Sequence, residues 1–272
     1  MEDKFTLGAQ LYTLRNYCET PKLFEMSMDK VAQMGFRYVQ FSGVCEEVDW
    51  KMFADSCRRH GLKCTLTHYD DDRIINETEA VIEEHDAMGC DGIGIGGMPR
   101  EFRNYDGYMR FIEKYSPAVE KIKKAGKTFC YHNHWFEFQR YENGKTGMDM
   151  LLENTDPVGF KLTLDTAWMH HGGVDVARFI DEHPDRIFAT HLKDITIIDD
   201  EVQPEEVLGG NMNFDSIMDA CRRHGIKNHL IEQDITWRNA FTSLNQSFYN
   251  LCTRYPDLFG DNEVNEKWRP SF

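Results

Sequence analysis

Five times in this chain a helix-like run ends at a glycine and a β-favouring run starts directly after it. The sites are Met34-Gly35-Phe36, His60-Gly61-Leu62, Met88-Gly89-Cys90, Ala125-Gly126-Lys127 and His224-Gly225-Ile226. Glycine there closes a helix in the left-handed conformation, which residues with a Cβ adopt only under strain. The repeat, with a period of roughly 30 residues, is that of serial βα units. It makes the αβ turns tight, so the loops at the other ends of the strands carry the variation.

The strand and helix patterns agree with this. β-favouring runs cover 5–12, 38–43, 62–68, 91–97, 127–134, 160–165, 186–193 and 227–232. Helical spacing and caps predict helices over 21–34, 50–60, 73–88, 106–125, 148–153 and 175–183, one from Asn213 or Asp215 to His224, and a last one from Ala240. About eight βα units fill the 272 residues with no linker between them. A closed (β/α)8 TIM barrel, one domain over 1–272, is the economical solution. The competing open doubly wound sheet lacks its Gly-x-Gly-x-x-Gly turn after the first strand. The tail after Tyr255 is of mixed composition and reads as wrapping the barrel or a partner subunit.

In a barrel every strand's C-terminal end points to one mouth. Four successive strand-like runs here end in metal-capable side chains: Thr128–His134, Phe160–Asp165, Ile187–Asp194 and His229–Asp234. A carboxylate at the exit of a buried strand must be paired or bind a metal. Asp165, His191 and Glu232 supply two carboxylates and an imidazole, a set suited to one divalent ion of the Mn, Mg, Co, Fe or Zn type, with Mn2+ the first choice. The bland alternative is an ion-paired polar mouth without metal. The fifth run offers His132, His134 and Glu137 for a fourth ligand. Strand alternation puts His132 and His134 on one side and Asn133 on the other. His132 is taken as the ligand, with His134 and Glu137 as substrate contacts. Lys193, two residues past His191, also faces inward and could polarise a substrate oxygen or carry protons. Trp168 reads as a sugar-stacking wall, and Gln10 and His68 as further substrate contacts near the ends of the first and third strands.

Composition narrows the partners. A formal net charge of −15 and a pI near 5.2 argue against nucleic acid and anionic membranes, which demand a basic footprint. The start, Met1-Glu2-Asp3-Lys4-Phe5, lacks a signal-peptide layout, and no apolar run reaches the roughly 20 residues of a membrane span. The 8 cysteines are scattered, without a Cys-x-x-Cys pair. They read as reduced thiols of a cytoplasmic protein acting on a small molecule, and a homo-oligomer is compatible with all of this.

The segments Leu7–Tyr12, Tyr131–Phe138, Leu164–Thr166, His191–Asp194 and Ile231–Asp234 resemble the xylose-isomerase-like barrel superfamily, the sugar phosphate isomerases/epimerases related to endonuclease IV. The resemblance implies a metal-dependent enzyme that removes a proton α to a carbonyl through a metal-bound enediolate. Glu232 would be the base, and His132 or His134 its acid/base partner. In ketose 3-epimerases of this superfamily the ligands are Glu, Asp, His and Glu. Asp165, His191 and Glu232 match the last three, and His132 stands in the place of the first. That departure, with the His-rich fifth strand and His191-Leu192-Lys193-Asp194, is similar to inosose dehydratase, a lyase. The expected function is a sugar isomerase/epimerase. The alternatives are a keto-sugar or inosose dehydratase, and a sugar-binding barrel without turnover.

Overall fold

The computed structural model describes residues 5–259, 262 and 265–268; Met1–Lys4 lie outside them. Eight parallel strands close into a barrel. In chain order these are β1 (Thr6–Gln10), β2 (Tyr38–Phe41), β3 (Lys63–Thr67), β4 (Gly92–Ile95), β5 (Thr128–His132), β6 (Phe160–Asp165), β7 (Ile187–Leu192) and β10 (Asn228–Ile231), with β1 flanked by β2 and β10. A separate antiparallel hairpin, β8 (Asp194–Ile198) and β9 (Glu201–Glu205), follows β7. The expected (β/α)8 barrel is therefore the observed architecture. No helix of the described residues is long and apolar enough to cross a membrane.

The five punctuating glycines behave as their positions require, with φ of 113° at Gly35, 67° at Gly61, 65° at Gly89, 78° at Gly126 and 64° at Gly225. Helix starts are built from side-chain caps. Thr20, Asp49 and Asn104 each accept a hydrogen bond from a first-turn backbone N–H, and Thr146 forms a reciprocal capping box with Asp149.

Two compact units make up the chain. The first is Met1–Thr65, His191–Asp215 and Lys227–Phe272. In it β1 lies between its two parallel neighbours, with Gly8 opposite both Tyr38 and Leu230. A Cβ on Gly8 would lie 2.7 Å from Leu230 and 2.9 Å from the Tyr38 carbonyl, so only glycine fits. Phe36 packs on Phe248 with ring centroids 4.2 Å apart, and Phe41 on Phe53 at 4.4 Å. Of the described tail, Asn265 donates to the Gln33 carbonyl and Asn245 donates to the Trp268 carbonyl, so the tail touches the chain's own helices at these points.

The second unit is Leu66–Thr190 with Ser216–Ile226. Here β4, β5 and β6 run side by side, with Tyr131 opposite Leu162 and His132 opposite Thr163. Alternation sends Phe129 and Tyr131 to the helical side, where they meet the rings of Tyr115 and Phe111. His132 and Asp165 therefore point the other way.

Four features depart from the sequence reading. The expected helix over 73–88 is two helices, Asp71–Asn76 and Thr78–Met88. Asp70 caps the first, and the Thr78 hydroxyl donates back to the Ile74 carbonyl across the break. A short helix, Thr166–His171, follows β6 directly because Asp165 caps it. The β8–β9 hairpin was not foreseen, although Ile195-Thr196-Ile197-Ile198 is β-branched and Asp199-Asp200 supplies its turn with φ of 50° and 64°. Finally, β5 ends at His132, not at residue 134.

Candidate metal centre and active site

His132, at the last position of β5, is buried, and its ring is held on both sides. Nδ1 lies 3.1 Å from the Gly96 carbonyl oxygen, which can only accept, so Nδ1 carries the hydrogen of the neutral ring. Nε2 then presents a lone pair, and 3.1 Å away stands Oδ2 of the fully buried Asp165. Asp165 is itself fixed. Its N–H donates to Asn133 Oδ1 (3.0 Å), and its Oδ1 accepts the Trp168 N–H (2.9 Å).

His191 and Glu232 repeat the arrangement. His191 Nε2 lies 2.6 Å from Gln40 Oε1, and Nδ1 lies 2.7 Å from Glu232 Oε2. Gln40 Oε1 accepts, so the neutral His191 turns the Nδ1 lone pair toward the carboxylate. Glu232 also receives Lys193 Nζ at 3.2 Å on Oε2, and Gln10 Nε2 at 3.5 Å on Oε1. Lys193 is shared with Asp234, 2.8 Å away.

A lone pair facing a carboxylate oxygen is repulsive unless a proton or cation lies between them. Here an imidazole nitrogen meets a buried carboxylate twice, and each pair calls for a proton or a cation between its atoms. His132 and Asp165 in the second unit, and His191 and Glu232 in the first, are all buried, and each offers a ligand atom of a type that holds metal ions. A six-coordinate cation with bonds of about 2.1 Å separates adjacent ligand atoms by about 3.0 Å. The observed pairs, at 2.7 and 3.1 Å, match that spacing. The donor set and its hydrogen bonding thus fit a divalent ion.

The other expected site residues are placed as follows. The half-buried His68 stacks on His132, with ring centroids 5.2 Å apart. Gln10 is buried, and its Oε1 accepts the Tyr12 N–H that starts the next turn. His134 lies beyond the strand, so alternation does not place it; the turn after β5 does, with its ring 4.8 Å from His132 and 5.9 Å from Trp168. Glu137 is fully buried and faces Tyr131, whose hydroxyl donates to it (2.7 Å), and it takes the His134 N–H (3.0 Å). Burial pushes the Glu137 carboxyl up to about 7, although those hydrogen bonds pull it down. Of the three candidates in this stretch, His132 is the one whose ring meets Asp165.

Sequence reasoning missed Gln40, Asn133, Asp234 and Trp135. Gln40 had a signal, a lone amide between Val39 and Phe41 in an apolar strand. Asn133 was set aside by the same alternation argument that favoured its neighbours.

A family model described as xylose isomerase-like TIM barrel matches residues 28–242. The chain belongs to that family. Solved structures repeat its fold. One is a sugar phosphate isomerase/epimerase from Parabacteroides distasonis ATCC 8503, at 23% identity over 91% of this chain and 93% of that one, TM-score 0.73. Another is the probable 3-DHS dehydratase AsbF involved in petrobactin synthesis from Bacillus anthracis, at 13% identity over 91% and 98%, TM-score 0.67. A third is a D-allulose 3-epimerase from Methylomonas sp., at 13% identity over 92% and 98%, TM-score 0.64. At these identities the likeness is one of fold. Among curated proteins, nothing matches the chain.

Proposed function

We propose that this protein is a divalent-metal-dependent sugar isomerase or epimerase that removes a proton from the carbon next to a carbonyl. The observation that carries the reading is the doubled arrangement at His132–Asp165 and His191–Glu232, where each imidazole, held through its other nitrogen, sets a ring nitrogen 3.1 and 2.7 Å from a buried carboxylate oxygen. His132, Asp165, His191 and Glu232 would hold the ion, a mixed imidazole and carboxylate set open to several divalent metals, with Mn2+ as our first choice. When bound, the ion supplies Lewis acidity toward the substrate's carbonyl oxygen.

The chain's own residues do the rest. Glu232 takes the proton. Lys193, 3.2 Å from Oε2, favours the charged form of that carboxylate and offers a cation to a developing oxyanion. His132 has Nδ1 on Gly96 and Nε2 toward Asp165, so we assign it to holding the ion and not to proton transfer. The opposite face of the substrate then falls to His134. Gln10 steadies Glu232, Trp168 and His68 contact the sugar, and Glu137 acts by holding the His134 turn.

A second reading, a keto-sugar or inosose dehydratase, shares the first step. The Lys193 ammonium beside Glu232 favours it, because that group can protonate a departing β-hydroxyl. Incubation with a ketose and an inosose in D2O separates the two. Deuterium uptake without loss of water supports the isomerase, and a new conjugated absorbance supports the dehydratase. Purified protein that carries no divalent ion, with neither the parent nor Glu232→Gln exceeding the uncatalysed rate, leaves only a sugar-binding barrel.

The acidic charge supports a small-molecule substrate and not nucleic acid or membrane. Eight free thiols support a reducing compartment such as the cytoplasm. We also read residues 1–272 as one domain, and a homo-oligomer is testable by light scattering.

A further inference from the structure

The segment that carries His132 continues into an aromatic corner of which the reaction above uses only His134 and Trp168. Trp135 is 44% exposed. Its ring lies 4.7 Å from that of Trp168, tilted by 47°, and both meet the exposed His171 edge-on, at 5.7 and 5.9 Å. His134 stands behind them, 6.0 Å from Trp135, 5.9 Å from Trp168 and 4.8 Å from His132. The rings thus step outward from the metal-holding histidine, first to His134 and then to the tryptophan pair.

This corner is pinned. The Trp168 N–H is held by Asp165 Oδ1, the carboxylate whose other oxygen faces His132. The Asp165 N–H is held by Asn133, and the His134 N–H by the buried Glu137. Trp135 stays exposed although it packs on the half-buried Trp168, and a large aromatic surface kept open to water by rigid supports marks a contact site. A neutral hexopyranose presents C–H faces that stack on indole, while its hydroxyls stay in water.

We infer that Trp135, Trp168 and His171 form an outer subsite for a second sugar ring, so that the substrate is a glycosylated keto-sugar and not a free monosaccharide. This rests on the sugar-isomerase reading, and it deepens it. The reacting ring lies at His132, His134 and Trp168, and the attached pyranose continues past Trp168 onto Trp135 and His171.

The test is calorimetric and fluorescence titration of the Mn2+-loaded protein with fructose and with glucosyl-fructoses linked through each fructose hydroxyl in turn. At least one linkage should bind about tenfold or more tighter than fructose and quench tryptophan emission. Trp135→Ala should abolish that advantage while fructose and Mn2+ bind as before, and Trp135→Phe should restore part of it. If no linkage exceeds fructose, or if Trp135→Ala weakens fructose equally, the subsite is refuted while the isomerase reading stands. If neither Mn2+ nor any ketose binds, the isomerase reading itself fails, and this one with it.

Discussion

His191 is the residue on which the centre turns, because its two nitrogens do different things. Nε2 is occupied by Gln40 Oε1, and this commits Nδ1 to the side where Glu232 stands. Partners of this kind fix ring orientation and tautomer, and their loss costs roughly 10–100-fold in metal affinity. Gln40→Leu should therefore weaken divalent-ion binding by about that factor, read by calorimetry on the metal-free protein; an unchanged Kd would remove Gln40 from the account. Glu137 gives a prediction about pH. Its carboxyl, raised to about 7 from an ordinary 4.5 chiefly by burial, keeps its proton in the folded state over a range in which the unfolded chain has released it. Folding stability from this group is thus greatest below about 4.5 and declines as pH rises toward 7, by of order 3 kcal/mol in all. Glu137→Gln imitates the protonated acid and should flatten that part of the profile in urea unfolding at pH 5 and pH 8. An identical slope in both proteins would contradict it.

At the scale of elements, Asp194 organises the segment between β7 and the helix that begins at Phe214. Its carboxylate accepts four backbone N–H groups, from Ile195 (2.8 Å), Leu208 (3.0 Å), Gly210 (3.2 Å) and Met212 (3.2 Å). Burial pushes its pKa up, and those four bonds act against the rise. Removing the carboxylate leaves several donors with no acceptor in a buried place, and each such loss costs about 1–3 kcal/mol. Asp194→Ala should abolish hydrogen-exchange protection across 195–212 while leaving β5 and β6 protected. Protection retained in that segment would show that the hairpin holds itself. The sequence marked Asp194 only as a neighbour of Lys193, because partners up to 18 residues away leave no local pattern.

For the whole molecule, ion binding and folding should be linked. At a hundred times its Kd a ligand specific to the folded state adds about 2.7 kcal/mol, which in a chain of this size raises Tm by roughly 5–10 °C. Chelation should reverse the shift, and a Tm indifferent to Mn2+ and to chelator would count against the centre. If 1–272 is one domain, calorimetry should give a single transition in both states.

How much was readable differs with the range of the interaction. Helix ends, left-handed glycines and strand runs are local matters of backbone sterics and capping, so the chain alone announced them and, by their repetition, the barrel. Asp165, His191 and Glu232 stood out as candidates because each falls at or beside the end of a β-favouring run. What required tertiary structure was everything decided by partners distant in sequence. Gln40 selects the tautomer of His191 across 151 positions. The Tyr131 hydroxyl donates to Glu137, and the end of β5 at His132 hands His134 to a loop. Periodicity says which way a side chain leaves its own strand; only the folded chain decides which atom it meets there.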